Sequence, residues 1–536
     1  MACQAERTVG ERFAIATPHR AATAAGEAAF RSGGSAVDAA VTASCVLSVA
    51  YPHMTGVGGD LFALVARPSG EVVSVNGSGA APRLIDRAAV ARTHGTMPRA
   101  GPLTITVPGA VAGWATLMDL GARLGLAAAV APAARLAREG VPVAPSLARA
   151  LRGSRATVAA DPGLRAVFVR GGSPLRAADP LVDGALASTL DAVATGGPDV
   201  LYRGAVGEQL VLGLSDRGAL LRGSDLEAHR TDCAPPLAGR YGGAEILTAP
   251  PNSQGCLLLA ILAVVERLGL GRDHLGMDAG RLATLFAAVT VLRDRGLCDP
   301  RSGPDLAASL LAPPGLDALA ARVRGTAAVP RGAGGPTADP ALGDTVAVVA
   351  ADADGTVVSL IHSLYGAFGS GIREPRTGII AHNRGASFVL DRDHPNALGP
   401  GRRPAHTLMP VLARSGGAIT LAAGTMGGSA HPQIHASLLL AVLDRGLDPG
   451  PAVALPRWVV GGLEGEDDAD GGRAAVHAEA TVPEQAKAAL RSSGFAIRRL
   501  GAVDEGVGHA QLIRIDPAGR LVAGSDPRAD GAAAAG

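Results

Sequence analysis

The chain has 536 residues with 47% hydrophobic and 18% charged content. That is enough apolar material for a large layered body or several domains, and it argues against general disorder. The 49 basic and 48 acidic residues leave a net charge of +1, so no field exists to recruit nucleic acid or an anionic membrane.

The opening MACQAERTVGERFAIATPHR has no apolar h-region, and no run of eighteen apolar residues follows, which predicts a soluble, cytoplasmic protein. Cys3, Cys45, Cys233, Cys256 and Cys298 are widely spaced and form no CxxC pair, so neither a zinc site nor a disulfide framework is indicated. Residues Arg20 to Arg31 read as a helix stopped by Gly33-Gly34, and Ser35 to Ala50 as a second helix crowded with small residues. TGVGGD then makes a tight turn into the apolar strand LFALVA. The turn lacks the third glycine of GxGxxG and enters a strand, which argues against a nucleotide site.

VVSVNGSGAAP reads as a strand and turn, and 115–230 alternates short helices with loops. AEILTAPPNSQGCLLLAILAVVERLG reads as a strand, a Pro-Pro turn and an apolar helix from near Gly255. From about Gly325 to Asp344 glycine, alanine and proline dominate, which marks a linker. The pattern then turns strongly β: TVAVVAAD, the turn ADG, and TVVSLIHS form a hairpin leading to the glycine turn GAFGSGI. LAAGTMGG is an apolar strand running into a glycine turn, followed by the helix IHASLLLAVLDRG, and the tail repeats the alternation. Helices outside mainly antiparallel sheets follow as the fold class.

Thr345 stands where the loose segment meets the rigid strand. A threonine hydroxyl is a poor nucleophile unless a base lies beside it, and a cut just before it frees its own α-amino group for that role. Such an amine titrates near neutrality, so it can take and return a proton. The design needs a flexible segment, a strand and backbone donors for an oxyanion; residues 325–344, TVAVVAAD and GTMGG supply candidates for each.

ATPH, GGSAVDAAVTA, YPHMTGVGGDLF, TVPGAVAGW, RLAREG, TAPPNSQG, DTVAVVAADADG, FGSGI, GTMGG, PRW and SDPRADGAA together resemble the γ-glutamyltranspeptidases, which are N-terminal-nucleophile hydrolases. The resemblance runs in order from about residue 14 to 535. It implies an α+β fold, a four-layer αββα sandwich, built from one self-cleaved precursor. The cut falls between Asp344 and Thr345, giving a large subunit 1–344, with 325–344 its flexible segment, and a small catalytic subunit 345–536. Thr345 is the implied nucleophile, Ser363 the helper hydroxyl, and Gly427 and Gly428 the oxyanion glycines. No cofactor or metal is implied. The partners implied are a small-molecule acyl substrate and the two associated fragments, and a homodimer of the processed pair is allowed.

The chain departs from the family pattern at its substrate clamp. Ser78 stands where an arginine binds the γ-glutamyl carboxylate, Tyr365 replaces an asparagine, and Ser387 falls where an acid binds the amino group. His406 and Thr407 replace paired serines. The ionic clamp is gone, so the resemblance points to a hydrolase or acyltransferase for another acyl group, acting on an amide or cleaving an acyl–carbon bond. A catalytically dead binding protein of the same fold is the alternative from another class. Arg384 is a candidate carboxylate binder or a solvated surface arginine, and His406 either orients substrate or is a satisfied structural histidine.

Three further features are read as structural. His431 and His435 lie four apart with no third ligand in reach. His19 and His53 are expected to be buried. Asp352 and Asp354 open a hairpin turn and lack the rest of a calcium loop.

Overall fold

The computed structural model describes residues 7–325, 344–461 and 475–536. Most of the expected linker (326–343) and the acidic stretch at 464–472 lie outside the described residues. At the edges of that linker, Gly325 closes the helix Pro313–Gly325 and Asp344 opens the strand Asp344–Asp352, so both belong to regular structure.

Two seven-stranded antiparallel sheets form the centre. The first runs, in spatial order, Arg7–Gly10, Leu521–Ser525, Ala510–Ile515, Ala418–Thr425, Val411–Ser415, Ala244–Thr248, Leu237–Tyr241. The second runs Ala532–Ala535, Phe13–Thr17, Asp344–Asp352, Val357–Tyr365, Asp60–Ala66, Val72–Asn76, Asp232–Ala234. Both sheets draw strands from either side of Thr345.

Alternation along the strands decides the layers. Val346, Val348 and Leu360 turn outward and share a core with Val41, Leu47 and Trp114 on the helical side. Val349, Ala351, Leu412, Ala422 and Ile513 turn inward and fill the space between the sheets. The first sheet buries Ile246, Val411 and Leu421 against Leu258, Leu262 and Phe286 of the other helical layer. Helix, sheet, sheet, helix is the resulting order: an αββα sandwich.

The early helices form where the sequence reading placed them. Arg20–Arg31 begins at His19, whose Nδ1 accepts from the Ala21 amide at 3.1 Å. Ala36–Ala50 begins with a Ser35/Asp38 capping box. The central hairpin closes through Asp352, whose carboxylate accepts from the Thr356 amide at 2.9 Å and from the Ala36 amide at 2.8 Å. Asp352 is therefore a turn and helix-start acceptor.

Candidate functional site

Thr345 lies at an irregularity in the hairpin: Asp344 pairs with Tyr365 and Val346 with His362, so the register shifts across Thr345. Such a bulge re-aims the side chain between them. Thr345 is buried, and its Oγ1 donates to Ser363 Oγ at 3.0 Å. Ser363 Oγ donates in turn to the Asp344 carbonyl oxygen at 2.7 Å and accepts from the Tyr365 amide at 2.8 Å. One hydroxyl thus connects Thr345 to the carbonyl of the peptide bond just before it.

Tyr365 makes this possible with a φ of 81°, a conformation that costs a non-glycine residue energy and persists only where its surroundings enforce it. The tyrosine ring carries the Arg384 guanidinium 3.9 Å above its centroid, and its phenol has no hydrogen-bond partner among the described residues.

On the next strand Asp60 pairs directly with Ser363. The turn before it leaves no room for side chains: a Cβ on Gly58 would lie 2.2 Å from the Ile380 carbonyl oxygen, and one on Gly59 2.5 Å from that of Ser363. Asp60 is fully buried, with Oδ2 at 3.0 Å from His406 Nε2, 3.3 Å from His382 Nδ1 and 3.9 Å from Arg384 Nε. Burial pushes its carboxyl up, but His382 and His406 outweigh that and hold it well below the usual carboxylate range.

The opposing sheet brings Gly427 and Gly428 to the same end of the sandwich. Gly424, on the strand leading to them, packs so closely that an added Cβ would lie 2.9 Å from that of Ala347. Gly427 takes a φ of 145°, and a Cβ there would meet Ile434 Cδ1 at 2.4 Å. Gln254 Nε2 anchors the turn by donating to the Gly428 carbonyl at 2.9 Å and to that of Thr407 at 3.0 Å. Behind it, the Met426 amide donates to the His509 carbonyl, and Arg457 Nη1 holds the Gly508 carbonyl at 2.5 Å. Arg457 belongs to a buried cluster with Asp526, Arg528 and Glu479, which joins the PRW and SDPR stretches of the sequence.

The expected clamp positions lie on this wall in differing states. Ser78 Oγ donates to Asn76 Oδ1 at 2.7 Å and accepts from Asn252 Nδ2 at 3.2 Å. Ser387 Oγ reaches the Arg384 and Ala405 carbonyls at 2.9 and 3.0 Å. Thr407 Oγ1 accepts from Arg384 Nη1 at 3.1 Å.

Arg384 is fully buried, which corrects its reading as a solvated surface residue: Asp60, Thr407 and the Tyr365 ring replace the water it would leave. His406 has both ring nitrogens engaged, Nε2 on Asp60 and Nδ1 accepting from the Leu408 amide at 3.2 Å. Burial and the Arg384 charge lower its pKa to about 3 despite Asp60, which leaves the ring uncharged near neutrality. Ser387, His406 and Thr407 border a small cleft that also takes in Gln254, Arg293 and Asn396.

The other histidines lie apart from this site or in the core. His431 and His435 are fully buried, and burial lowers both, His435 to about 3. Among the described residues no group of three or more histidines, cysteines or acids is placed to hold a metal. His19 and His53 are buried, and His53 Nε2 lies 3.1 Å from Ser146 Oγ. Asp60, Gln254 and His382 are the residues the sequence reading missed. Asp60 alone left a signal, as the single carboxylate opening the apolar strand Asp60–Ala66.

The family model for gamma-glutamyltranspeptidase matches residues 22–536. The oxamate amidohydrolase proenzyme of Klebsiella pneumoniae is 34% identical, covering 96% of this chain and 97% of that one. The glutathione hydrolase-like YwrD proenzyme of Bacillus subtilis is also 34% identical, over 98% of both. Among solved structures, cephalosporin acylase from Bacillus halodurans superposes with a TM-score of 0.88 at 30% identity, over 99% of this chain and 97% of that one. No described helix is long and apolar enough to cross a membrane.

Proposed function

We propose, for a chain that belongs to the gamma-glutamyltranspeptidase family of N-terminal-nucleophile hydrolases, that Thr345 cuts its own chain and then serves as the acyl-accepting nucleophile. The observation that carries this reading is the hydroxyl relay from Thr345 Oγ1 through Ser363 Oγ to the Asp344 carbonyl oxygen, at 3.0 and 2.7 Å. In self-cleavage Thr345 Oγ1 attacks the Asp344 carbonyl carbon. Its proton passes to Ser363 Oγ while the proton of Ser363 passes to the carbonyl oxygen, so no charge accumulates. The C–N bond then breaks as the proton on the carbonyl oxygen passes to the nitrogen, which frees the Thr345 α-amine and leaves an ester between Asp344 and Thr345 Oγ1. Water hydrolyses that ester to the Asp344 carboxylate and the free Thr345 hydroxyl. The large subunit is then 1–344 and the small one 345–536. The proenzyme names of the relatives support this processing.

In the mature enzyme the α-amine takes the proton of Thr345 Oγ1 as it attacks a substrate carbonyl. The amides of Gly427 and Gly428 receive the oxyanion, on a turn held by Gln254 and by the strand behind it. The leaving group is an amine, and water or another acceptor releases the acyl group.

Substrate follows from the wall. Ser78 and Ser387 have their hydroxyls bound to protein groups, and Arg384 is engaged with Asp60, Thr407 and the Tyr365 ring. No charged clamp for an α-amino acid head is formed by these positions. The acyl donor is therefore an amide without that head.

N-terminal sequencing tests the reading. The purified protein should yield a fragment beginning Thr-Val-Ala-Val, and Thr345→Ala should remain one chain. A Thr345→Ala variant that still cleaves at this bond refutes it.

A further inference from the structure

The strained residue beside the nucleophile is held from both sides by one other residue. Tyr365, with its φ of 81°, stands between Leu364 and Gly366. Asn383 is 6% exposed; its amide nitrogen donates to the Leu364 carbonyl at 3.2 Å, and its Oδ1 accepts from the Gly366 amide at 2.9 Å. Its Nδ2 donates to the Arg99 carbonyl at 2.7 Å, and its own carbonyl accepts from the Ala386 amide at 2.9 Å. The side-chain orientation follows from these partners, because a flipped amide would set oxygen against the Arg99 carbonyl and NH2 against the Gly366 amide.

The consequence reaches Ser363. The Leu364 carbonyl and the Tyr365 N–H belong to one planar peptide unit and point to opposite sides of it. Asn383 holds the carbonyl side, and the N–H side meets Ser363 Oγ at 2.8 Å. Gly366 N–H belongs to the next unit, so Asn383 ties one group on each plane and thereby sets the torsions at Tyr365 between them. Ser363 Oγ accepts from the Tyr365 amide and from Thr345 Oγ1 and donates to the Asp344 carbonyl. A serine hydroxyl has one proton and two lone pairs. These three bonds use all of them and leave the proton a single direction.

We propose that Asn383 is a positioning residue for self-cleavage: it enforces the strained turn at Tyr365, whose amide aims the Ser363 proton at the Asp344 carbonyl. The inference rests on the reading of Thr345 as nucleophile and adds the residue that directs its relay. Without the Asn383 side chain the Gly366 plane is released, and relaxation of the strained torsion loosens the plane that faces Ser363.

Time courses of self-cleavage on denaturing gels test it with four proteins: unaltered, Asn383→Ala, Tyr365→Gly and the double variant. Asn383→Ala should slow cleavage by about 10–100-fold, the range for a slight misplacement of reacting groups. In the Tyr365→Gly background the same change should slow it by less than about threefold, because glycine takes a positive φ without enforcement. Both members of that second pair lack the ring beneath Arg384, so its loss cancels in the comparison. A role confined to packing would slow both backgrounds equally, and that result overturns the proposal, as does Asn383→Ala cleaving at the unaltered rate. In the uncleaved Thr345→Ala chain, hydrogen exchange at the Tyr365 amide should quicken by about tenfold or more when Asn383→Ala is added. The substitution leaves the acceptor of that amide, Ser363, in place, so unchanged exchange also overturns the proposal. An unaltered protein that never yields a fragment beginning Thr-Val-Ala-Val sinks the nucleophile reading, and the exchange result then decides the role of Asn383 by itself.

Discussion

Two neighbouring parts of the site, joined where Asp60 pairs with Ser363, solve opposite problems. At the hairpin, Thr345 and Ser363 hold small neutral hydroxyls in a chain that ends on a peptide carbonyl. On the neighbouring strands and loops, Asp60, His382, His406 and Arg384 gather at one buried carboxylate. The groups proposed to react are uncharged hydroxyls, and the charge gathers beside them at Asp60. A side chain whose hydrogen bonds end on protein atoms fixes geometry, while one that can hand a proton along does chemistry. The difference separates residues that resemble each other in burial and distance from Thr345.

The comparison is broken most severely by removing the relay. Ser363→Ala deletes both the acceptor for Thr345 Oγ1 and the donor to Asp344, and self-cleavage should slow by roughly 10²–10⁴-fold, the range for a positioned proton-transfer group. Denaturing gels over time read this directly; processing at the wild-type rate would make Ser363 a packing residue.

The wall predicts discrimination of about a hundredfold. Without an ionic clamp, γ-glutamyl-p-nitroanilide should have kcat/KM at least roughly 10²-fold below that of the best simple acyl anilide, from about 3 kcal/mol of absent transition-state binding. Efficient γ-glutamyl transfer to a dipeptide would show that the wall does bind an amino acid head.

Asp60→Asn tests the scaffold end. It leaves the Arg384 guanidinium buried beside a neutral amide, which places it among pair-breaking changes that cost about 3–5 kcal/mol. The loss should appear in thermal melts, with catalysis impaired in proportion to the folded fraction if the charge is structural.

Acid sharpens the comparison least. His19, His53, His362, His406 and His435 are held neutral, with pKa values lowered to about 4, 3, 4, 3 and 3 chiefly by burial. The unfolded chain binds these protons near pH 6.5 and the folded one only near 3–4, so stability falls as pH drops through that window. By pH 5 each histidine costs about 2 kcal/mol, and Tm should fall by on the order of 5–10 °C from its value at pH 7.5. A flat Tm between those pH values would show that the buried histidines are already protonated.

What the sequence made legible follows the same division. Ser363 was legible beside Thr345 through the family resemblance, which implied it as the helper hydroxyl, whereas the bulge across Thr345 that brings the two hydroxyls together departs from the two-residue period of the strand. Helix ends at Ser35 and Gly255 were legible because caps and turns are local. Asp60 beside Ser363 was not, since that contact depends on pairing strands three hundred residues apart. Arg384 misled for a different reason. Arginine is ordinarily exposed, and only the assembled cluster of carboxylate, hydroxyl and aromatic ring shows what replaces water around it.

The strand Phe13–Thr17 is flanked by Asp344–Asp352 on one side and Ala532–Ala535 on the other. A break between Asp344 and Thr345 would leave an early stretch of chain clasped between two late ones. The pieces could then part only by tearing hydrogen bonds through the middle of a sheet, so dilution alone would not separate them. Continuity of the backbone matters while the strands find their places and becomes dispensable afterwards, much as a mould does once the casting has set. Pieces mixed after denaturation would have to meet in solution and interleave, a slower and aggregation-exposed route. On the proposed processing, the peptide bond before Thr345 would be a folding aid as well as the first bond broken.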